Sequence, residues 1–173
     1  RIKKIGRPPR CRRNVESRLK SSPTVKAEAN STRDDALSAR TVSSLSEVNA
    51  GDWNACAGTG NPFLTHAFLH ALEESGSCRA ETGWLPQHVL LEGEGNALVG
   101  AMPMYVKGHS QGEYVFDHNW AHAYENAGGR YYPKLQVSVP FTPVTGPRLL
   151  VPPGLEKERN QRLLVQAATQ IAD

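Results

Sequence analysis

The 173-residue chain predicts an α/β (α+β) fold preceded by a basic tail. Three observations carry this. From Thr41 onward, strand-period and helix-period segments follow one another in the order β α α β β α β β α, which implies a mixed central sheet flanked by helices. The two middle strands are joined by GEGN (Gly93–Asn96), the chemistry of a hairpin turn. Residues 1–40 show no hydrophobic periodicity and hold twelve Lys/Arg against four Asp/Glu, a balance of +8. Such a segment cannot bury enough apolar area to offset chain entropy and reads as disordered.

The elements follow in order. Thr41–Leu45 reads as a short strand. Ser46 is placed as the N-cap of a first helix, with Asn49 at its third position as a partial capping box. Val48, Trp53 and Cys56 give that helix an apolar face ending near Gly58. Thr65 caps a second helix, His66–Ser75, with Phe68, Leu69 and Leu72 as its inner stripe and Gly76 as its terminator. Trp84–Leu91 and Ala97–Lys107 pair as strands, and Pro103 marks a bulge or an edge in the second. Phe116–Ala127 is a third helix ended by Gly128-Gly129. Leu135–Val139 and Pro147–Val151 are strands. Leu155–Ala172 is an amphipathic helix with Leu163, Leu164, Ala167, Ala168 and Ile171 inward.

Charge separates the two regions. Residues 41–173 hold eight Lys/Arg against thirteen Asp/Glu, a balance of −5, so the basic character belongs to the tail. GRPPR (Gly6–Arg10) followed by Cys11-Arg12-Arg13 is either a phosphate-backbone contact or a solvated tail. Cys11, Cys56 and Cys78 form no CxxC pair, which argues against a zinc ribbon or a thioredoxin-type centre. An odd count without a secretory signal fits a reducing cytoplasm. No apolar run approaches the roughly 20 residues that span a bilayer. The chain starts on Arg and stops inside a helix-like pattern, so it reads as a piece of a longer protein.

Two HxxxH spacings, His66/His70 and His118/His122, put imidazoles on one helix face, but the first lacks the Glu of a zinc-protease motif. Ordinary surface or partly buried histidines explain both, and no metal is assigned. No phosphate loop and no GxSxG nucleophile elbow occurs. What remains is a cluster in 110–134: Ser110, Gln111, Glu113, Asp117, His118, Tyr131, Tyr132 and Lys134. A strand end and a helix start bring Glu113 and Asp117 together, where carboxylates deprotonate an amine nucleophile if a pocket raises their pKa. Asp117 at a helix start alternatively complements the helix dipole. Arg130 and Lys134 suit a phosphate or carboxylate. Tyr131 and Tyr132 suit stacking on a sugar or base, with one of the two turned to the core if both lie on a strand.

HSQGEYVFDHNWAHAYENAGGRYYPKLQVSVPFTPVTGPRLLV (His109–Val151) resembles the bacterial FemAB-like peptidoglycan biosynthesis/recognition proteins, often grouped with GNAT-type acyltransferases. NPFLTHAFLHALEESGS (Asn61–Ser77), TGWLPQHVLLE (Thr82–Glu92) and LVGAMPMYVKGHS (Leu98–Ser110) extend the resemblance over about residues 41–173. It implies two GNAT-like lobes in tandem, of which 41–173 is the first, incomplete at its C-terminal end. The acyl donor, acyl-CoA or aminoacyl-tRNA, is then handled mainly by the second lobe, and the GNAT pyrophosphate loop Q/R-x-x-G-x-G/A is absent here. The implied activity is acyl or aminoacyl transfer to an amine on a cell-wall precursor, with this part inactive alone; a non-catalytic lobe recognising peptidoglycan or a nucleotide sugar is the alternative. Nucleic acid enters only as a tRNA donor. The candidates on the acceptor side are Glu113 and Asp117 for proton removal, and Arg130, Tyr131, Tyr132 and Lys134 for substrate contact.

Overall fold

The computed structural model describes residues 25–26 and 37–172, apart from Gly112 and Leu155. The basic tail read from the sequence lies almost wholly outside the described residues. Strand β1 (Val25–Lys26) nevertheless pairs with β2 (Ser38–Val42), which begins three residues earlier than the sequence suggests. The remaining elements are helix α1 (Ala50–Ala57), helix α2 (His66–Glu74), strands β3 (Trp84–Pro86), β4 (His88–Glu92), β5 (Leu98–Met102) and β6 (Met104–Lys107), helix α3 (His118–Asn126), strand β7 (Lys134–Val137) and helix α4 (Lys157–Ala172). The fold is α+β, with helices packed against two antiparallel sheets, ordered β1-β2-β4-β5 and β3-β6-β7.

One long bent hairpin joins the sheets. β3 and β4 run against β6 and β5 in a single register, from Trp84↔Lys107 to Leu91↔Gly100, before a bulge at Leu91/Glu92. The ladder breaks where Pro103 has no N–H to give, and the two halves of the ribbon enter different sheets. The Gln87 amide donates to the Met104 carbonyl at 2.9 Å across the bend. The segments Trp84–Leu91 and Ala97–Lys107 are therefore each two strands.

Strand β4 is buried on both faces, and its alternation sorts the core. Leu90 faces a cluster with Trp53, Cys56, Leu64 and Leu69 beneath α1 and α2. Val89 and Leu91 face Met102, Leu163, Leu164 and Ala167 beneath α4. Each fully buried leucine contributes about 1.5–3 kcal/mol of apolar transfer. Gly100 lets α4 approach closely: a Cβ there would sit 3.3 Å from Leu164 Cδ1. Trp53 is buried whole because its indole donates to the Leu64 carbonyl at 2.9 Å.

Local chemistry shifts several boundaries. Ser44, not Ser46, caps a short 3-10 turn at Leu45–Glu47, and Asn49 caps α1 by accepting from Gly51 and Asp52. Thr65 caps α2 as its sequence position predicts. The Pro147–Val151 segment makes a single bridge, Leu150 to Ala101, rather than a strand. Beside α2, Glu73 accepts from the Leu45 amide at 2.8 Å and lies 2.8 Å from the wholly buried His88 ring. Burial pushes the Glu73 carboxyl up, but His88 and the Leu45 amide outweigh it and hold its pKa below the usual value. No helix among the described residues is long and apolar enough to cross a membrane.

Candidate functional site

The site grows from the β6–β7 ladder. Antiparallel pairing sets Lys107 directly opposite Lys134, so two ammonium groups share one sheet face. The loop and helix between these strands bring one carboxylate to each. Lys107, wholly buried, pairs with Glu113, donates to the His109 carbonyl, and lies 4.5 Å from the centre of the Trp84 ring. Lys134 pairs with Asp117, donates to the Tyr131 hydroxyl at 2.8 Å, and stands 4.2 Å from the centre of that ring.

Asp117 is the hub. The Tyr132 hydroxyl donates to its Oδ1 at 2.5 Å and the Tyr131 hydroxyl to its Oδ2 at 3.2 Å. Ser110 Oγ lies 2.7 Å from the Tyr132 hydroxyl, extending the chain inward to a buried residue. Burial works against the ionised form, but Lys134 and the hydrogen bonds from Ser110 and Tyr132 hold the Asp117 carboxyl well below the usual carboxylate range. Burial first, then the neighbouring carboxylate, push the Tyr132 hydroxyl up to about 12. Burial lowers the Lys134 pKa less than Asp117 and Tyr131 raise it, so it ends above its ordinary value. Asp117 occupies the N-cap position of α3, yet its side chain makes no cap hydrogen bond. Its oxygens serve the tyrosines and the lysine instead.

A cavity of about 380 Å³ opens beside this network, with Trp84, Ser110, Glu113, Asp117, Lys134 and Phe141 among its walls. Tyr114, Val115 and Phe116 form its apolar lip and are all exposed. Gln136, Ser138 and Thr142 add hydrogen-bonding groups. An apolar cleft with a few convergent polar groups is the usual form of a ligand site.

The structure gathers most of the predicted cluster. Glu113, Asp117 and Lys134 line one cavity, and Tyr131 and Tyr132 stand behind Asp117. The tyrosines precede β7 rather than lying on it, so strand alternation does not part them and both hydroxyls reach one carboxylate. Arg130 is exposed and lies off the cavity lining. Gln111 belongs to a neighbouring cavity, and His118 stacks on Phe116 at 5.3 Å. The α2 histidines are structural neighbours: His66 Nε2 lies 2.8 Å from the Leu45 carbonyl. Sequence reasoning missed Lys107, Trp84 and Phe141. Lysine closing the apolar run MYVK is the one available signal, because such a residue on a strand with both faces covered needs a partner.

Comparison with known families places these residues in context. A family model described as peptidoglycan biosynthesis/recognition, FemAB-like, matches residues 44–173, which includes every residue of the site. The chain belongs to the FemAB-like family. No curated protein matches it, and no solved structure matches it.

Proposed function

We propose that this chain forms the acceptor side of an acyl- or aminoacyltransferase that modifies an amine on a cell-wall precursor. Membership of a peptidoglycan biosynthesis/recognition family supports the acceptor class. The single observation that carries the site assignment is Asp117, an ionised carboxylate at the wall of a ligand-sized cavity, fixed by Lys134, Tyr131 and Tyr132. A carboxylate has about four lone-pair sites, so Asp117 retains acceptor capacity for an amine N–H. Such fixation favours orienting the amine over taking its proton, because a strongly acidic carboxyl is a weak base. Glu113, paired with Lys107, is held in place in the wall of the same cavity. In the transfer step the amine lone pair attacks the carbonyl carbon of the donor ester or thioester. The amine proton leaves to water, and the donor oxygen or sulfur departs. Acyl-CoA or aminoacyl-tRNA fits as the donor.

The fixing of Asp117 by Lys134 and both tyrosine hydroxyls also favours a second reading, a recognition lobe that binds a cell-wall ligand without chemistry. Calorimetry with acyl-CoA, on this chain and on a chain extended at its C-terminus, separates the two. Binding by the extended chain alone supports transfer with 41–173 as the acceptor lobe. Binding of acyl-CoA by neither chain, with an aminoacyl-tRNA also bound by neither in the same titration, supports recognition.

A further inference from the structure

A second cavity, about 390 Å³, lies against the first and is walled by Ser77, Thr82, His109, Gln111 and Phe141. Phe141 is the residue common to both. Its backbone has φ 59°, a left-handed conformation that a non-glycine residue holds only where its surroundings impose it, and such outliers cluster at ligand clamps and switches. Its ring packs on Trp84 with centroids 5.5 Å apart. Trp84 is itself buried, lines the first cavity, and has an indole N–H without a partner among the described residues. A buried donor left unmade is costly, and native structures rarely tolerate one without a use.

We propose that Phe141 is the specificity-determining partition of the site. It divides one channel into two cavities, and a linear ligand long enough to occupy both displaces its ring and offers an oxygen acceptor to Trp84 Nε1. A ligand oxygen at Trp84 Nε1 then satisfies the orphan indole, and the displaced ring joins the two cavities. This rests on the acceptor reading above for the amine end of the ligand, held at Asp117 in the first cavity. The new element is the chemistry further along the ligand: an amide or carboxyl oxygen near Trp84, then an extension into a second cavity lined by hydroxyl, imidazole and carboxamide groups. Short amines fill only the first cavity and leave Phe141 in place.

The test uses two probes and the indole N–H resonances, with that of Trp84 assigned from Trp84→Phe. Triglycinamide carries an amine and amide oxygens on a linear chain; n-propylamine carries the amine alone. Triglycinamide is expected to shift the Trp84 indole resonance, and propylamine to leave it in place. Trp84→Phe should weaken triglycinamide by about two- to tenfold, the worth of one hydrogen bond. Phe141→Ala should tighten triglycinamide by about threefold or more, since the ring no longer has to be displaced, and should not tighten propylamine, which loses only a wall contact of the first cavity. Phe141→Leu keeps apolar packing on Trp84 and should act in the same direction, which covers the case of a poorly folded alanine variant. An unmoved Trp84 resonance at millimolar triglycinamide, or equal effects of Phe141→Ala on both probes, overturns the partition. If propylamine fails to bind while triglycinamide still moves Trp84, the amine role of Asp117 fails and the partition stands.

Discussion

Lys107 and Lys134 face each other across the β6–β7 ladder, and each is answered by a carboxylate from the segment that joins their strands, Glu113 and Asp117 respectively. Like charges directly opposite on one sheet face destabilise a strand pair. The two carboxylates remove that penalty and at the same time fix the loop that walls the cavity. The pairs differ in exposure: the Lys107 side chain is 0% exposed and that of Lys134 26%. One pair is therefore a buried anchor, and the other faces the ligand space.

Lys107→Met should destabilise the protein by about 3–5 kcal/mol, because it leaves the Glu113 carboxylate buried without its partner. Glu113→Gln should also be costly. The double variant should cost less than the sum, since neither charge is then stranded. Urea unfolding of the three variants checks this, and strict additivity would dissolve the pair.

Acid should weaken the Asp117 contribution. Its folded pKa lies below the unfolded value of about 3.9. The stabilisation is then fully present above the unfolded value and fades as pH falls toward the folded one. The stability difference between wild type and Asp117→Asn should be level above about pH 5 and shrink below about pH 4. Lys134 has the opposite sign: its folded pKa is raised, so its contribution holds below about 10.4 and is lost as pH climbs through the folded value. Urea midpoints across pH 3 to 11 for wild type, Asp117→Asn and Lys134→Met report both limbs.

Tyr132 should ionise late. Its hydroxyl is pushed to about 12 by burial and by Asp117, above the ordinary tyrosine value. In a spectrophotometric alkaline titration, Tyr132→Phe should remove absorbance change near pH 12 and leave the earlier phase. Asp117→Asn should move the lost phase toward lower pH, because the carboxylate is one of the causes of the shift.

In the core, Leu164→Ala should cost about 2–5 kcal/mol, because Leu164 is wholly buried between α4 and the sheet. Gly100→Ala should cost about 1–3 kcal/mol by crowding the same side chain. Trp120→Ser, on the exposed face of α3, should stay within about 0.5 kcal/mol. Thermal unfolding of the three ranks them.

Much of the fold was legible. Thr65 as a cap, the α4 stripe of Leu163, Leu164 and Ala167, and the Gly93–Asn96 turn follow from local chemistry and periodicity, and the structure has each. Long-range pairing was not legible. Whether Trp84–Leu91 is one strand or two depends on its partner, since the break comes from Pro103 on the opposite strand. Ser46 and Asn49 are both acceptable caps by type; a 3-10 turn at Leu45–Glu47 uses up the first helical register and leaves Asn49 to start α1. In the site, Asp117, Tyr131, Tyr132 and Lys134 stood close in sequence and were found together. Lys107, Trp84 and Phe141 reach the same cavity region through strand pairing and packing, which neighbouring residues do not encode.

The most direct measurement is calorimetric titration of an amine-bearing peptidoglycan stem peptide into wild type and Asp117→Asn, with the urea midpoint of each as the check on folding. Asp117 as the amine-orienting group predicts binding by wild type and a loss of about tenfold or more in Asp117→Asn, equivalent to about 1.4 kcal/mol or more. Equal affinity for wild type and Asp117→Asn would contradict it.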